Sequence, residues 1–236
     1  MYAQKSYFRL PMPTPISTYY ERLAPDYDQH RFGNTYGQFI HAQERDILLD
    51  LFPRLAAGRS LDLACGTGRL LDFADTGLDG SPAMLAEARK KHPDKTLVCG
   101  DALALPFEPE SFDRAHSFHF LMHLQREQAQ QVLREAGRVL RPGGHFIFDF
   151  PSAKRRHLLR KPRGADWHGA SAWSLADWER LLANEWQIVA LRAYLFLPVH
   201  RFPARVRPLL RPLDTLLCRS FLKEYASYLV LCLQKK

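Results

Sequence analysis

The stretch Leu61–Leu70, LDLACGTGRL, constrains the fold of this chain more than any other. A short apolar run, Ser60 to Ala64, reads as a strand, and two glycines one residue apart, Gly66 and Gly68, follow where the spacing turns helical. A strand that turns tightly into a helix needs residues free to take positive φ, and a turn without side chains lets a ligand touch the peptide groups. Open sheets bind ligands at such a turn, beyond the carboxyl ends of the strands.

The ligand is not specified by GxG alone. A dinucleotide fingerprint needs a third small residue three positions after Gly68, which here is Leu71. It also needs an acid about 20 residues downstream, whereas Asp79 follows Gly66 by 13. No GxxxxGK[ST] occurs either. Phosphate binding is therefore poorly supported, and a nucleoside without phosphates is the better expectation.

The rest of the chain supplies alternating elements around this turn. Strands are expected at 60–64, 77–79, 96–99, 114–118 and 145–150, with helices at Arg69–Ala74, Pro82–Lys91 and Arg126–Val139. Ser81 is the expected N-cap of the second helix, and RPGG stops the third. Such alternation argues a parallel sheet with helices on both faces. Upstream, STYYERLAPDYD and QFIHAQERDILLDLF carry helical spacing on either side of a break at 30–36, and Ser17 is placed to cap the first turn. Prolines 11, 13 and 15 make the N-terminal tail extended. Downstream, a helix is expected at Ser174–Asn184 and strands at Trp186–Leu195 and Ser227–Gln234.

At 236 residues and 46% hydrophobic, the chain can bury an ordinary core. The start lacks the order of a signal peptide, and no apolar run approaches the length of a membrane span. Cys65, Cys99, Cys218 and Cys232 are scattered without a CxxC pair, which excludes a zinc ribbon and fits a reducing cytoplasm. Charge is uneven. Residues 1–150 carry 17 Lys/Arg against 19 Asp/Glu, and residues 151–236 carry 16 against 6, so the whole excess of +8 belongs to the C-terminal third.

At this point the sequence resembles the class I S-adenosylmethionine-dependent methyltransferases. LDLACGTGRL is similar to their first motif, GLDGSPAMLAEAR to the segment ending the second strand, GDALALPFEPESFDRAHSF to the stretch through the third and fourth strands, and LRPGGHFIF to the turn into the fifth. YYERLAPDYD with RFG behind it resembles the N-terminal lid of small-molecule members. The resemblance implies an α/β fold: a doubly wound, mostly parallel seven-stranded sheet with an antiparallel last strand. Residues 1–55 would form the tail and helical lid. Residues 56–236 would form the methyltransferase domain, with cap-like insertions at about 151–173 and 197–224.

S-adenosyl-L-methionine is the cofactor implied, and the same resemblance places its contacts. Asp62 and the backbone of Ala64, Cys65, Gly66 and Gly68 would receive the methionine part. Asp79 would accept both ribose hydroxyls, followed by Gly80, which leaves room beside the adenine. Met84, with Ser81, would line the adenine face. Asp101, preceded by Gly100, would take the adenine amino group beside the Ala102 amide. Ser117 and Phe118 would border the sulfonium, and Tyr27 and Arg31 would close over the methionine end. One departure stands out: the family usually has several more residues between the glycine turn and the following acid, so the first helix here is clipped.

A methyl on a sulfonium is already activated, so transfer requires alignment and exclusion of water. A hydroxyl acceptor also needs a base, and His119, just past the fourth strand, is the first candidate for the catalytic role, ahead of His30 and Asp149. No metal-ligand spacing is present, and no metal is expected. The expected partner is a small-molecule acceptor, methylated on O or N, anionic or lipid-like and aromatic. KRRHLLRKPR could clamp an anion, and the Arg/apolar alternation of 197–224 could pack as a cap or rest on a membrane. Two alternatives stand beside this reading: a nucleic-acid methyltransferase, against which SFHF offers none of the prolines of a base-flipping motif, and a non-catalytic nucleotide-binding scaffold.

Overall fold

The computed structural model describes residues 15–159 and 173–236. The extended tail expected around Pro11 and Pro13, and most of the basic stretch after Leu159, lie outside the described residues. Three helices come first: α1 (Pro15–Leu23), α2 (Tyr27–Phe32) and α3 (Thr35–Leu51). Ser17 lies inside α1 and is not its cap. Asn34 N-caps α3, its Oδ1 accepting from the amides of Tyr36 and Gly37 at 3.0 and 2.9 Å.

The βα alternation follows as β1 (Ser60–Leu63), β2 (Thr76–Asp79), α4 (Pro82–Lys91), β3 (Thr96–Cys99), β4 (Phe112–Ser117), α5 (Arg126–Val139) and β5 (Leu140–Pro151). Then come α6 (Ala153–Leu158), α7 (Leu175–Leu182), β6 (Trp186–Tyr194), α8 (Arg211–Arg219) and β7 (Tyr228–Lys235). The sheet order is β3-β2-β1-β4-β5-β7-β6. All pairs are parallel except those of β7, which runs antiparallel to both β5 and β6. The order reverses at β1, so the crevice for a ligand opens above β1 and β4.

The helix expected at Arg69–Ala74 is absent. A single 3-10 turn, Leu71–Phe73, takes its place. The physical reason is length: the crossover from β1 to β2 has barely the minimum of about 10–12 residues. Tightening to i→i+3 bonds lets Leu71, which is fully buried, close that face with three residues. Two apolar layers flank the sheet. One holds Leu61, Leu63, Phe146, Phe148 and Trp178 under α5 and α7. The other holds Phe39, Ile47, Leu48, Ile147 and Val230 and fixes α3 to the sheet.

Candidate functional site

The glycine turn forms as its sequence requires. Gly66 (φ 53°) and Gly68 (φ 76°) are both left-handed, and a Cβ at Gly66 would project into open space. That is a bare cradle. Ala64 holds φ 59° without being glycine, a conformation that costs an L residue about 1–2 kcal/mol. Ala64→Gly is therefore expected to raise stability by up to about 1 kcal/mol, the strain relieved less the entropy added to the unfolded chain. Urea denaturation measures it, and a loss would mean that the Ala64 methyl packs for more than its strain.

Asp79, at the end of β2, organises this turn. Its Oδ2 accepts from the Gly66 amide and its Oδ1 from the Ser81 amide, each at 2.8 Å. Burial pushes its carboxyl up to about 6, against the pull of those two amides. Each carboxylate oxygen has another lone pair, so two acceptor sites remain for hydroxyls. Ser81 caps α4 through the Met84 amide at 3.1 Å. Asp101 turns one oxygen to the Leu103 amide at 2.8 Å.

These groups surround a cavity of about 290 Å3. Tyr27, Ala64, Gly66, Asp79, Gly80, Ser81, Met84, Gly100, Asp101, Ala102, Phe118 and His119, all named from sequence, line it. So do Tyr20, Phe120 and Leu124, which were not, and His123, a second histidine after β4. Five of the residues named for the cofactor do not line it, and neither do His30 and Asp149. Arg31 is exposed and donates to the Tyr19 hydroxyl at 2.9 Å. Cys65 turns its thiol toward Gly77 beneath the turn. Gly68 is held by His92, whose Nε2 lies 2.8 Å from the Gly68 carbonyl oxygen. Ser117 is fully buried. Asp62 points to the opposite face, its Oδ1 3.4 Å from His116 Nε2. The two-residue period of β1 explains it: Leu61 and Leu63 face α5, so Asp62 faces α3.

Helices α1 and α2 contact the turn and the start of α4. Asp28 of α2 accepts from the Thr67 hydroxyl at 2.6 Å and pairs with Lys91 of α4 at 2.5 Å. Glu21 of α1 meets the Ser81 hydroxyl and the Ala83 amide at the start of α4, where a carboxylate is favoured by the free amides.

A buried charge network stands behind His119. Glu44 of α3, with no exposed surface, pairs with Arg69 and with His119 Nε2, the latter at 2.5 Å. Asp149 on β5 accepts from the His119 amide at 2.7 Å and from the Tyr194 hydroxyl at 2.7 Å. Tyr194 in turn stacks on Tyr228, with centroids 4.9 Å apart. Burial alone would raise the Glu44 carboxyl, but Arg69 and then His119 outweigh it and hold it at about 2. Burial alone would lower His119, but Glu44 and then Asp149 reverse this and raise it. Glu44 and Asp149 thus bias His119 toward its charged form, at φ 58°, a strained position the surrounding bonds maintain. Its Nε2 is engaged, so it is better built to donate a hydrogen bond than to accept a proton. Sequence reasoning missed Glu44, although one signal was present: it falls in step with Ile40, Ile47, Leu48 and Leu51 on an otherwise apolar stripe.

Against known proteins, residues 61–148 match the family model described as a methyltransferase domain. The chain is 30% identical over 203 residues to the 2-phytyl-1,4-naphtoquinone methyltransferase of Thermosynechococcus vestitus, covering 80% of this chain and 84% of that protein. It is 31% identical over 141 residues to the demethylmenaquinone methyltransferase of Renibacterium salmoninarum, covering 57% and 58% of the two. A S-adenosylmethionine-dependent methyltransferase of Thermotoga maritima superposes with TM-score 0.69 at 19% identity, over 94% of this chain and 100% of the other. The magnesium protoporphyrin IX methyltransferase of Synechocystis, with bound S-adenosylhomocysteine, gives TM-score 0.65 at 16% identity, over 94% and 98%. At these identities the solved structures establish the shared fold.

Proposed function

Since this chain belongs to the class I S-adenosylmethionine-dependent methyltransferases, we propose that it methylates a small, hydroxyl-bearing aromatic acceptor of lipid-like character, in the manner of a quinol. The enzyme class and its cofactor, S-adenosylmethionine, are the premise; the acceptor is the proposal. The observation that carries it is the wall of the cavity, where Tyr20, Tyr27, Phe118, Phe120 and Leu124 offer apolar surface with the His119 imidazole among them. Two relatives whose names specify naphthoquinone and demethylmenaquinone methylation support the same acceptor chemistry.

The residues fit the cofactor: an open cradle at Gly66, spare acceptor capacity on Asp79, and an Asp101 oxygen beyond the one its own turn uses. Asp79 would hold the ribose hydroxyls, Asp101 and the Ala102 amide the adenine edge, Met84 its face, and the glycine turn the methionine end. When bound, the cofactor would supply a methyl group activated by positive sulfur and leave as S-adenosylhomocysteine, and the acceptor's proton would pass to solvent water. His119 at the wall, whose charged form Glu44 and Asp149 favour, would favour the acceptor as an oxyanion, since a neighbouring positive charge lowers a hydroxyl's pKa. The Phe and Tyr side chains exclude water, which strengthens that attraction.

His119→Ala is expected to slow turnover about a hundredfold, the lower end of what a positioned polar group contributes, while leaving S-adenosylhomocysteine affinity within about twofold. Full turnover would remove His119 from the mechanism. The acceptor itself is tested by offering reduced 1,4-naphthoquinone and, separately, a small hydrophilic amine with labelled cofactor. Transfer to the naphthoquinol supports the proposal, and transfer to the amine alone overturns it.

A further inference from the structure

Helix α8 is amphipathic in the wrong sense for a helix that merely covers a core. Its inward face carries Asp214, fully buried, and Cys218. Asp214 accepts from Gln43 Nε2 at 2.7 Å and from the Leu197 amide at 2.5 Å, which ties the helix to α3 by hydrogen bonds. Its outward face is apolar. Leu213 and Leu216, at i, i+3 on α8, are 50% and 67% exposed, and Leu209 in the preceding 3-10 turn is 76% exposed. Phe221, just past the helix, is 91% exposed. The 3-10 turn Lys223–Tyr225 bridges α8 to α6, where Leu158 and Leu159 are exposed as well.

Cations rim this surface. Arg201, Arg205 and Arg219 are exposed, and neither they nor Lys223 have an ion-pair partner among the described residues. Position adds a second argument. Because β6 and β5 both run antiparallel to β7, they end on the same side as β4, where the cavity opens. The segments that follow β5 and β6 carry the exposed leucines, so the apolar surface hangs from the edge of the sheet that bears the cavity.

We infer that the outward face of α8, with Phe221 and its rim of Arg201, Arg205, Arg219 and Lys223, docks on an anionic lipid bilayer. Exposed Leu and Phe enter the headgroup boundary while neighbouring basic side chains meet anionic headgroups. Charge selects this occupant over the others. Residues 1–14 contain Lys5 and Arg9 and no acid, and residues 160–172 carry Arg160, Lys161 and Arg163 against Asp166 alone. Either segment, or a second copy of α8, would bring like charge to the patch. The inference rests on this surface and not on the identity of the acceptor; a lipid-like acceptor would gain a short path from bilayer to cavity.

The test is vesicle co-sedimentation of the full chain without acceptor or cofactor. Binding is expected to equimolar phosphatidylglycerol/phosphatidylcholine vesicles, to weaken with added salt, and to fall at least tenfold for phosphatidylcholine alone. The double variant Leu216→Glu/Phe221→Glu should lose at least tenfold in binding while keeping its S-adenosylhomocysteine affinity, which shows that it is folded. No binding by the wild-type chain, or equal binding by the double variant, overturns the inference. So does a concentration-dependent dimer in sedimentation velocity that the double variant abolishes, which would assign the face to a second copy. Failure to methylate a naphthoquinol would leave the vesicle result untouched.

Discussion

Replacing Asp79 with alanine is expected to weaken S-adenosylhomocysteine binding at least a hundredfold, which corresponds to about 3 kcal/mol. Two hydroxyls donating to a charged acceptor contribute about 1.5–3 kcal/mol each. The variant also frees the Gly66 and Ser81 amides that the carboxylate now holds, so the cradle loses its shape along with its anchor. Calorimetry on the folded variant measures the loss, and unchanged affinity would mean that the ribose lies elsewhere. The same side chain sets a pH dependence. Burial raises its carboxyl to about 6, and the ionised form is the better acceptor. Affinity should be full above pH 6 and decline as pH falls through that value, approaching tenfold per unit well below it. In Asp79→Ala this slope should vanish.

Glu44→Ala is expected to cost the fold about 3–5 kcal/mol, the scale of breaking a buried ion pair from one side. Glu44 has no exposed surface, and its partner Arg69 is 13% exposed, so neither water nor salt can replace the lost charge. Removing it leaves the Arg69 guanidinium buried without its carboxylate, and His119 without its nearest acceptor. Denaturant unfolding gives the magnitude, and a loss under about 1 kcal/mol would show that the pair is solvated. The sign with pH can be checked independently. Glu44 is depressed, so its stabilisation is complete above its unfolded pKa and disappears only as pH falls through about 2. His119 is raised, so its share is complete below pH 6.5 and is lost as pH rises through its folded pKa. On the alkaline side the His119 contribution therefore goes first. In Glu44→Ala, the His119 resonance followed by NMR should titrate at lower pH than in the parent chain, because the largest opposing attraction is gone. The double variant Glu44→Leu/Arg69→Met should recover part of the stability, since well-packed apolar pairs often equal a buried ion pair.

Much of the site is legible along the chain because its parts are local. Gly66 and Gly68 announce the turn through their freedom at positive φ, Asp79 announces a strand end, and Ser81 with Pro82 announces a helix start. Each signal is read within a few residues, and the helices Pro82–Lys91 and Arg126–Val139 have the limits their spacing predicts. The Arg69–Ala74 segment was misread because helical spacing says nothing about how far a crossover must reach. The resemblance places Asp62 at the methionine end, and the structure sets its Oδ1 3.4 Å from His116 Nε2 on the neighbouring strand, a meeting no local signal carries.

By itself, then, the sequence determined the α/β alternation, the bare turn and the acid that serves it, since backbone sterics and side-chain period act over short distances. Only the tertiary structure decided the character of His119 and the outward face of α8. Glu44 is 75 residues from His119, and Gln43 is 171 from Asp214. Whether such groups meet, and how strongly they shift one another, depends on burial that exists only once the helices are laid on the sheet.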